Sequence, residues 1–216
     1  GHHPIIFMQC GPIRHTAKFS ENAPSNMEVW PVPIPSPTFP PEAGIQDIFR
    51  ILASNSLRNQ RIAQDIREAY QAGRKVLVLS ERTDHLDLLL DAISERLEAC
   101  WVLHGRLSKK QRTTILLELN ELDEDAPRVL LATGRLIGEG FDHPPLDTLV
   151  LAMPISWKGT LQQYAGRLHR EHANKHDVRI YDYIEQDNPQ LARMWDKRSR
   201  GYKAMGYLLR TPEAST

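Results

Sequence analysis

Lys75-Val76-Leu77-Val78-Leu79-Ser80-Glu81-Arg82-Thr83-Asp84-His85 joins a continuous apolar run to a polar loop, which opens an amphipathic stretch reaching Leu97. A run apolar at consecutive rather than alternate positions predicts a strand buried on both faces, the kind found in parallel sheets covered by helices. The unit repeats along the chain. Cys100-Trp101-Val102-Leu103 precedes helical periodicity from Ser108 to Leu122, and Arg128-Val129-Leu130-Leu131 precedes a glycine-rich loop. Thr148-Leu149-Val150-Leu151 precedes a helix from Gly159 to about His169, and Val178-Arg179-Ile180-Tyr181-Asp182-Tyr183 precedes a last helix beginning near Asn188. This alternation predicts an α/β fold with three α/β/α layers around a mainly parallel sheet of about six strands, with ligands bound in the loops at the strands' carboxyl ends.

Upstream, apolar residues at helical spacing (Ile45, Ile48, Phe49, Leu52, then Ile62, Ile66, Ala69, Tyr70) predict two helices with a break between them, closed by Gly73. Nine of the fifteen prolines fall within the first 41 residues, crowding between Pro33 and Pro41, and this segment reads as a linker. Ile5 to Cys10 reads as a short buried strand whose natural partners are not expected in this chain. The expected organisation is therefore 1–43 as the end of a first lobe plus linker, 44–186 as the main lobe, and 187–216 as a terminal helix and tail.

Composition narrows the function classes. The chain is 41% hydrophobic and 25% charged, ordinary for a folded domain, and 27 basic residues balance 27 acidic ones. Polyanion binding must then come from a local patch. Cys10 and Cys100 are the only cysteines and form no CxxC pair, which argues against a disulfide framework or structural zinc and points to a reducing compartment. No run approaches the roughly 18 apolar residues of a membrane span, so the expected location is the cytoplasm, without membrane partners.

The loops carry the chemistry. Ser80, Arg82, His104, Gly105 and Arg106 follow the first two strands, and their hydroxyl, backbone amides and guanidiniums suit phosphates and sugars rather than base edges. After the third strand comes Ala132-Thr133-Gly134-Arg135-Leu136-Ile137-Gly138-Glu139-Gly140-Phe141-Asp142; its glycines free the backbone, Asp142 is an acceptor suited to a ribose hydroxyl or to a simple turn, and Glu139 could pair with an arginine. Gln162-Gln163-Tyr164-Ala165-Gly166-Arg167-Leu168-His169-Arg170 places Arg167 and Arg170 on one helix face, where two guanidinium forks can enter one cleft. Gly166 inside a helix reads as permitting a close backbone approach. His169, His172 and His176 lack the spacing and companion ligands of a metal site, so none is expected. Trp157 and Tyr164 read as core aromatics, and His85 as a buried helix histidine.

Taken together, the Ser-x-Arg, His-Gly, Ala-Thr-x5-Gly-x-Asp and Gln-x2-Gly-Arg-x2-Arg loops, in that order over Val76–Tyr183, resemble motifs IV, IVa, V and VI of the C-terminal RecA-like lobe of superfamily 2 DEAD/DEAH-type helicases, nearest the branch of restriction-enzyme subunits and repair translocases. The resemblance implies a second motor lobe. It assigns Arg167 and Arg170 as arginine fingers and Gln163 as the residue linking nucleotide and nucleic-acid sites, with Gly138, Gly140, Asp142 and Gly166 lining a nucleotide cleft. Ser80, Arg82, His104, Gly105 and Thr133 would hold a nucleic-acid backbone. The implied cofactors are ATP and Mg2+, the metal held by a first lobe, and the implied partners are that lobe and single-stranded or duplex nucleic acid, DNA favoured. No Gly-x4-Gly-Lys-Ser/Thr loop or acidic box occurs in these 216 residues, so no ATP turnover is expected from them alone. A non-catalytic docking module and a subunit of a defence nuclease are the rival readings.

Overall fold

The computed structural model describes residues 26–93, 97–135, 141–156, 161–168 and 176–211, apart from the side chain of Arg167. The expected strand at Ile5–Cys10, and Gly138, Glu139, Gly140, Trp157, His169, Arg170 and His172, lie outside these residues. The elements run β1 (Asn26–Ile34), α1 (Ile45–Ser54), α2 (Ser56–Gln71), β2 (Lys75–Leu79), α3 (Thr83–Ile93), β3 (Cys100–Leu103), α4 (Lys109–Glu121), β4 (Arg128–Ala132), β5 (Thr148–Leu151), α5 (Gln162–Leu168), β6 (Asp177–Glu185), α6 (Pro189–Ala204) and β7 (Leu208–Leu209). Local chemistry marks the ends. Asn55 accepts the Arg58 N–H to cap α2, Gly73 closes it at φ +84°, and Ser108 and Gln111 cap α4 reciprocally.

All strands pair in parallel in one sheet, ordered β3-β4-β2-β5-β6-β1-β7. Consecutive apolar residues divide between two cores. Leu77 and Leu79 of β2 face Leu119 of α4, Tyr164 and Leu168 of α5 and Tyr202 of α6. Val76 and Val78 face Ile62 and Ile66 of α2 and Leu86, Leu89 and Ile93 of α3. Helices therefore cover both faces, giving the three-layer α/β/α architecture that the uninterrupted runs predict.

Among the described residues the sheet has seven strands, one more than the about six expected. Asn26–Ile34, part of the segment read as linker, pairs with β6 along its whole length and buries Val29 and Val32. Proline is normally excluded from such a position because it removes a ladder donor. Here the geometry permits it: the Val29 carbonyl accepts the Arg210 N–H, so Val29, Pro31 and Pro33 turn their backbone groups away from β6, to the side where β7 pairs only with Glu28 and Val29. The second unanticipated strand, β7, is two residues long and carries no periodicity to read.

Candidate functional site

Leu79, Ala132 and Leu103, the last residues of β2, β4 and β3, are paired in register, so the loops that follow leave the sheet side by side. The Ser80 N–H donates to the Ala132 carbonyl at 3.2 Å and the Thr133 N–H to the Leu103 carbonyl at 3.3 Å, which extends the ladder one step and sets the loop roots. Above them opens a cleft of about 470 Å³ lined by Glu81, Thr83, Gly105, Arg106, Arg112, Thr133 and Arg135. Among the described residues three guanidiniums and one carboxylate line it, a locally cationic site on a chain of zero net charge. Partial burial of the Glu81 carboxyl pushes its pKa above the usual carboxylate value.

Of the residues expected to hold a nucleic-acid backbone, Gly105 and Thr133 line this cleft, while Ser80, Arg82 and His104 sit beside it. Arg82 turns its guanidinium to Asp84 at 3.1 Å; burial is the largest single effect on the Asp84 carboxyl and raises its pKa, but the Arg82 cation and the backbone N–H groups of His85 and Asp84 together hold it below its usual range. The Arg106 N–H donates to His104 Nδ1, folding the His104–Leu107 turn that presents Gly105. Ser80 is 1% exposed. Its hydroxyl meets His85 Nδ1 at 2.9 Å and accepts the Arg82 N–H at 3.3 Å, so it faces inward. His85 is the buried helix histidine expected: 0% exposed, with burial and then the Arg58 cation pushing its pKa down to about 3.

Glu81, Thr83, Arg112 and Arg135 were not singled out by sequence reasoning. Glu81, Thr83 and Arg135 lie within the loops that carry the motifs, and only the side-by-side placement of those loops turns them into one lining. Arg112 comes from the first turn of α4, one helical turn beyond its Ser108 cap.

Along the sheet, the segment leaving β5 is held differently. Arg58 of α2 donates to the Ala152 carbonyl and, at 2.8 Å, to Glu185; Arg198 of α6 donates to the Ile155 carbonyl and takes Asp182 with two hydrogen bonds of 2.9 Å. Asp182 and Glu185, three apart on β6, point to opposite faces, so the segment is clamped from both sides. It leads toward α5, which is pinned by Tyr164 donating to the Gly134 carbonyl at 2.7 Å and by Tyr207 donating to the Ala165 carbonyl at 3.1 Å. Tyr164 is a core residue, as its position predicts. Gln163, Gly166 and Asp142 are exposed. A Cβ on Gly166 would meet only the Met205 methyl at 3.8 Å, an ordinary contact, so the close approach expected at this glycine does not arise within the described residues. No group of three or more His, Cys, Asp or Glu among the described residues could hold a metal, and none of the described helices is long and apolar enough to cross a membrane.

The family model of the helicase conserved C-terminal domain matches residues 59–172, a span that takes in the cleft, the clamped segment and α5. The chain belongs to this helicase C-terminal domain family. Uncharacterized protein 108L of Invertebrate iridescent virus 3 is 36% identical over 98 residues, covering 44% of this chain and 88% of that protein. Probable helicase D10 of Escherichia phage T5 is 28% identical over 145 residues, covering 65% of this chain and 31% of that one. T4 UvsW superposes with a TM-score of 0.64 at 17% identity over 86% of this chain and 41% of its own, which shows a shared fold. The chain thus spans most of 108L but less than half of D10 and of UvsW. The helicase C-terminal domain supplies the RecA-like sheet, and Arg82, Arg106 and Arg135 lie in its loops after β2, β3 and β4.

Proposed function

We propose that this chain is the second motor lobe of an ATP-dependent nucleic-acid helicase or translocase of superfamily 2, of the branch that serves restriction and repair, and that the cleft over β3, β4 and β2 holds the phosphate backbone of a single strand. The observation that carries the reading is the convergence of Arg106, Arg112 and Arg135 with Thr133 and the Gly105 turn at the carboxyl ends of three neighbouring parallel strands. Guanidiniums and hydroxyls aimed at phosphates bind without regard to base, which suits a lobe that must move along a strand.

ATP with Mg2+ supplies the phosphoryl-transfer chemistry when bound between this lobe and a first one. The donors on this side fit a nucleotide rather than its metal: Asp142 and Gln163 are exposed acceptor and amide groups, and no acidic cluster is described beside them. Asp142 holds a ribose hydroxyl, Gly138, Gly140 and Gly166 let backbone approach, Arg167 and Arg170 neutralise charge at the phosphates, and the first lobe carries the metal ligands. In a two-lobed protein containing this chain, Arg167→Ala or Arg170→Ala is expected to lower kcat by about 10³-fold with little change in melting temperature. Binding of labelled oligodeoxythymidine by this chain, lost at high salt and weakened by Arg106→Ala, supports the nucleic-acid reading; salt-independent or absent binding favours the docking module.

A further inference from the structure

The group behind the cleft is a buried chain of polar side chains with a fixed direction. Asn59 Nδ2 donates to the Ala53 carbonyl at 2.8 Å, which leaves Asn59 Oδ1 as the acceptor facing His85 Nε2 at 2.8 Å. His85 Nε2 must then carry the proton, and Nδ1 is bare and accepts the Ser80 O–H. The Ser80 oxygen in turn accepts the Arg82 N–H. Each donor and acceptor in this sequence has one role, and because His85 is neutral throughout the ordinary pH range the pattern does not reverse. Its far end is anchored: Asn59 follows Arg58, which is fixed to Glu185 of β6 and to the Ala152 carbonyl beyond β5.

We propose that Asn59 and His85 are positioning residues that hold the Glu81–Thr83 loop in the shape that completes the cleft, with Ser80 serving the loop from inside instead of touching phosphate. The proposal rests on the nucleic-acid reading of the cleft, but its structural half stands apart from it. Ser80 spends its only proton on His85, so it has none for a phosphate oxygen. What Ser80 does govern is the backbone at Arg82, and that backbone carries Glu81 and Thr83 into the lining. The buried row of Asn59, His85 and Ser80 links α2 to the loop.

The two ring nitrogens can be tested separately, because an asparagine amide reaches about where Nδ1 lies and a glutamine amide about where Nε2 lies. The experiment compares His85→Phe, His85→Asn, His85→Gln and Ser80→Ala with the parent chain. It reads amide hydrogen exchange at Arg82 and affinity for labelled oligodeoxythymidine, with Val78 and Val150 amides as controls for global opening. His85→Phe and Ser80→Ala are expected to speed exchange at Arg82 by about tenfold or more, leave Val78 and Val150 protected, and weaken binding by about tenfold without changing its salt slope, since no cation is removed. His85→Asn, which keeps the acceptor for Ser80, is expected to keep more affinity than His85→Gln. Unchanged exchange at Arg82 in folded His85→Phe overturns the proposal, and so does a Ser80→Ala variant that binds about tenfold more weakly with Arg82 still protected, because the hydroxyl then acts on the ligand directly. Faster exchange at Arg82 with unchanged affinity upholds the positioning of the loop and overturns the nucleic-acid reading of the cleft. If His85→Phe does not fold, Ser80→Ala decides by the same readouts.

Discussion

The loops after β2, β3 and β4 and the segment after β5 leave the same edge of the same sheet, and each is met by arginines, yet the arginines are placed in opposite ways. Over β5, Arg58 and Arg198 are buried, each locked to a carboxylate of β6 and to a backbone carbonyl. Over the other three strands, Arg106 and Arg135 are exposed and Arg112 is half-buried, and they share a cleft whose lining contains one acid among the described residues. Guanidinium charge by itself assigns no role. A buried arginine with a dedicated carboxylate is structure, whereas several converging on an open cleft are the arrangement on which the proposed phosphate site rests.

This contrast is broken most severely from the buried side. Arg198→Met leaves Asp182 in the core with Tyr202 as its remaining hydrogen-bond donor, and is expected to cost about 3–5 kcal/mol in urea unfolding. Replacing Asp182 by Leu in the same protein should restore much of that, since an apolar pair of similar volume avoids the stranded charge. No recovery in the double variant would mean that the bonds to Tyr202 and Ile155 matter more than the ion pair.

Next in size is a pH effect. His85 titrates near 3 when folded and near its usual 6.5 when unfolded, so the unfolded chain binds the extra proton between those values. The contribution is complete above about pH 6.5 and is lost as pH falls toward about 3. The stability gap between the parent chain and His85→Phe should therefore narrow by about 2 kcal/mol on going from about pH 8 to about pH 5. A gap that stays constant would place a charged imidazole in the fold.

Smaller effects belong to the cleft. Arg106→Ala should weaken single-strand binding by about tenfold while moving stability by less than about 0.5 kcal/mol, the reverse of the Arg198 pattern. Glu81→Gln should tighten binding by about threefold, because it removes a carboxylate that faces the same space. Looser binding in Glu81→Gln would show that the acid orders the arginines rather than opposing their ligand.

Most of the architecture is legible in the sequence because parallel strands covered on both faces are apolar at every position, and Lys75–Leu79, Arg128–Ala132 and Thr148–Leu151 show that without ambiguity. β1 is not, because Pro31 and Pro33 look prohibitive until the open side of the strand is known. The site is legible to the level of loops. Thr133 and Gly105 line the cleft where the motif reading puts nucleic-acid contacts. Ser80 looks equally like a phosphate ligand, since nothing in Ser80-Glu81-Arg82 reveals that His85 will fold back five residues later and take its proton. Arg112 is missed for the opposite reason: it reads as one more charged residue on a helix until α4 packs with its first turn at the cleft.

The most direct test of the central claim is the salt dependence of oligodeoxythymidine binding by this chain and by its Arg106→Ala/Arg135→Ala variant. Phosphate contacts by the three cleft arginines predict that log K falls against log salt with a slope of about −2, made shallower by about 1.4 in the double variant, at about 0.7 per contact on a single strand. A flat dependence in the parent chain, or the same slope in both proteins, would contradict it.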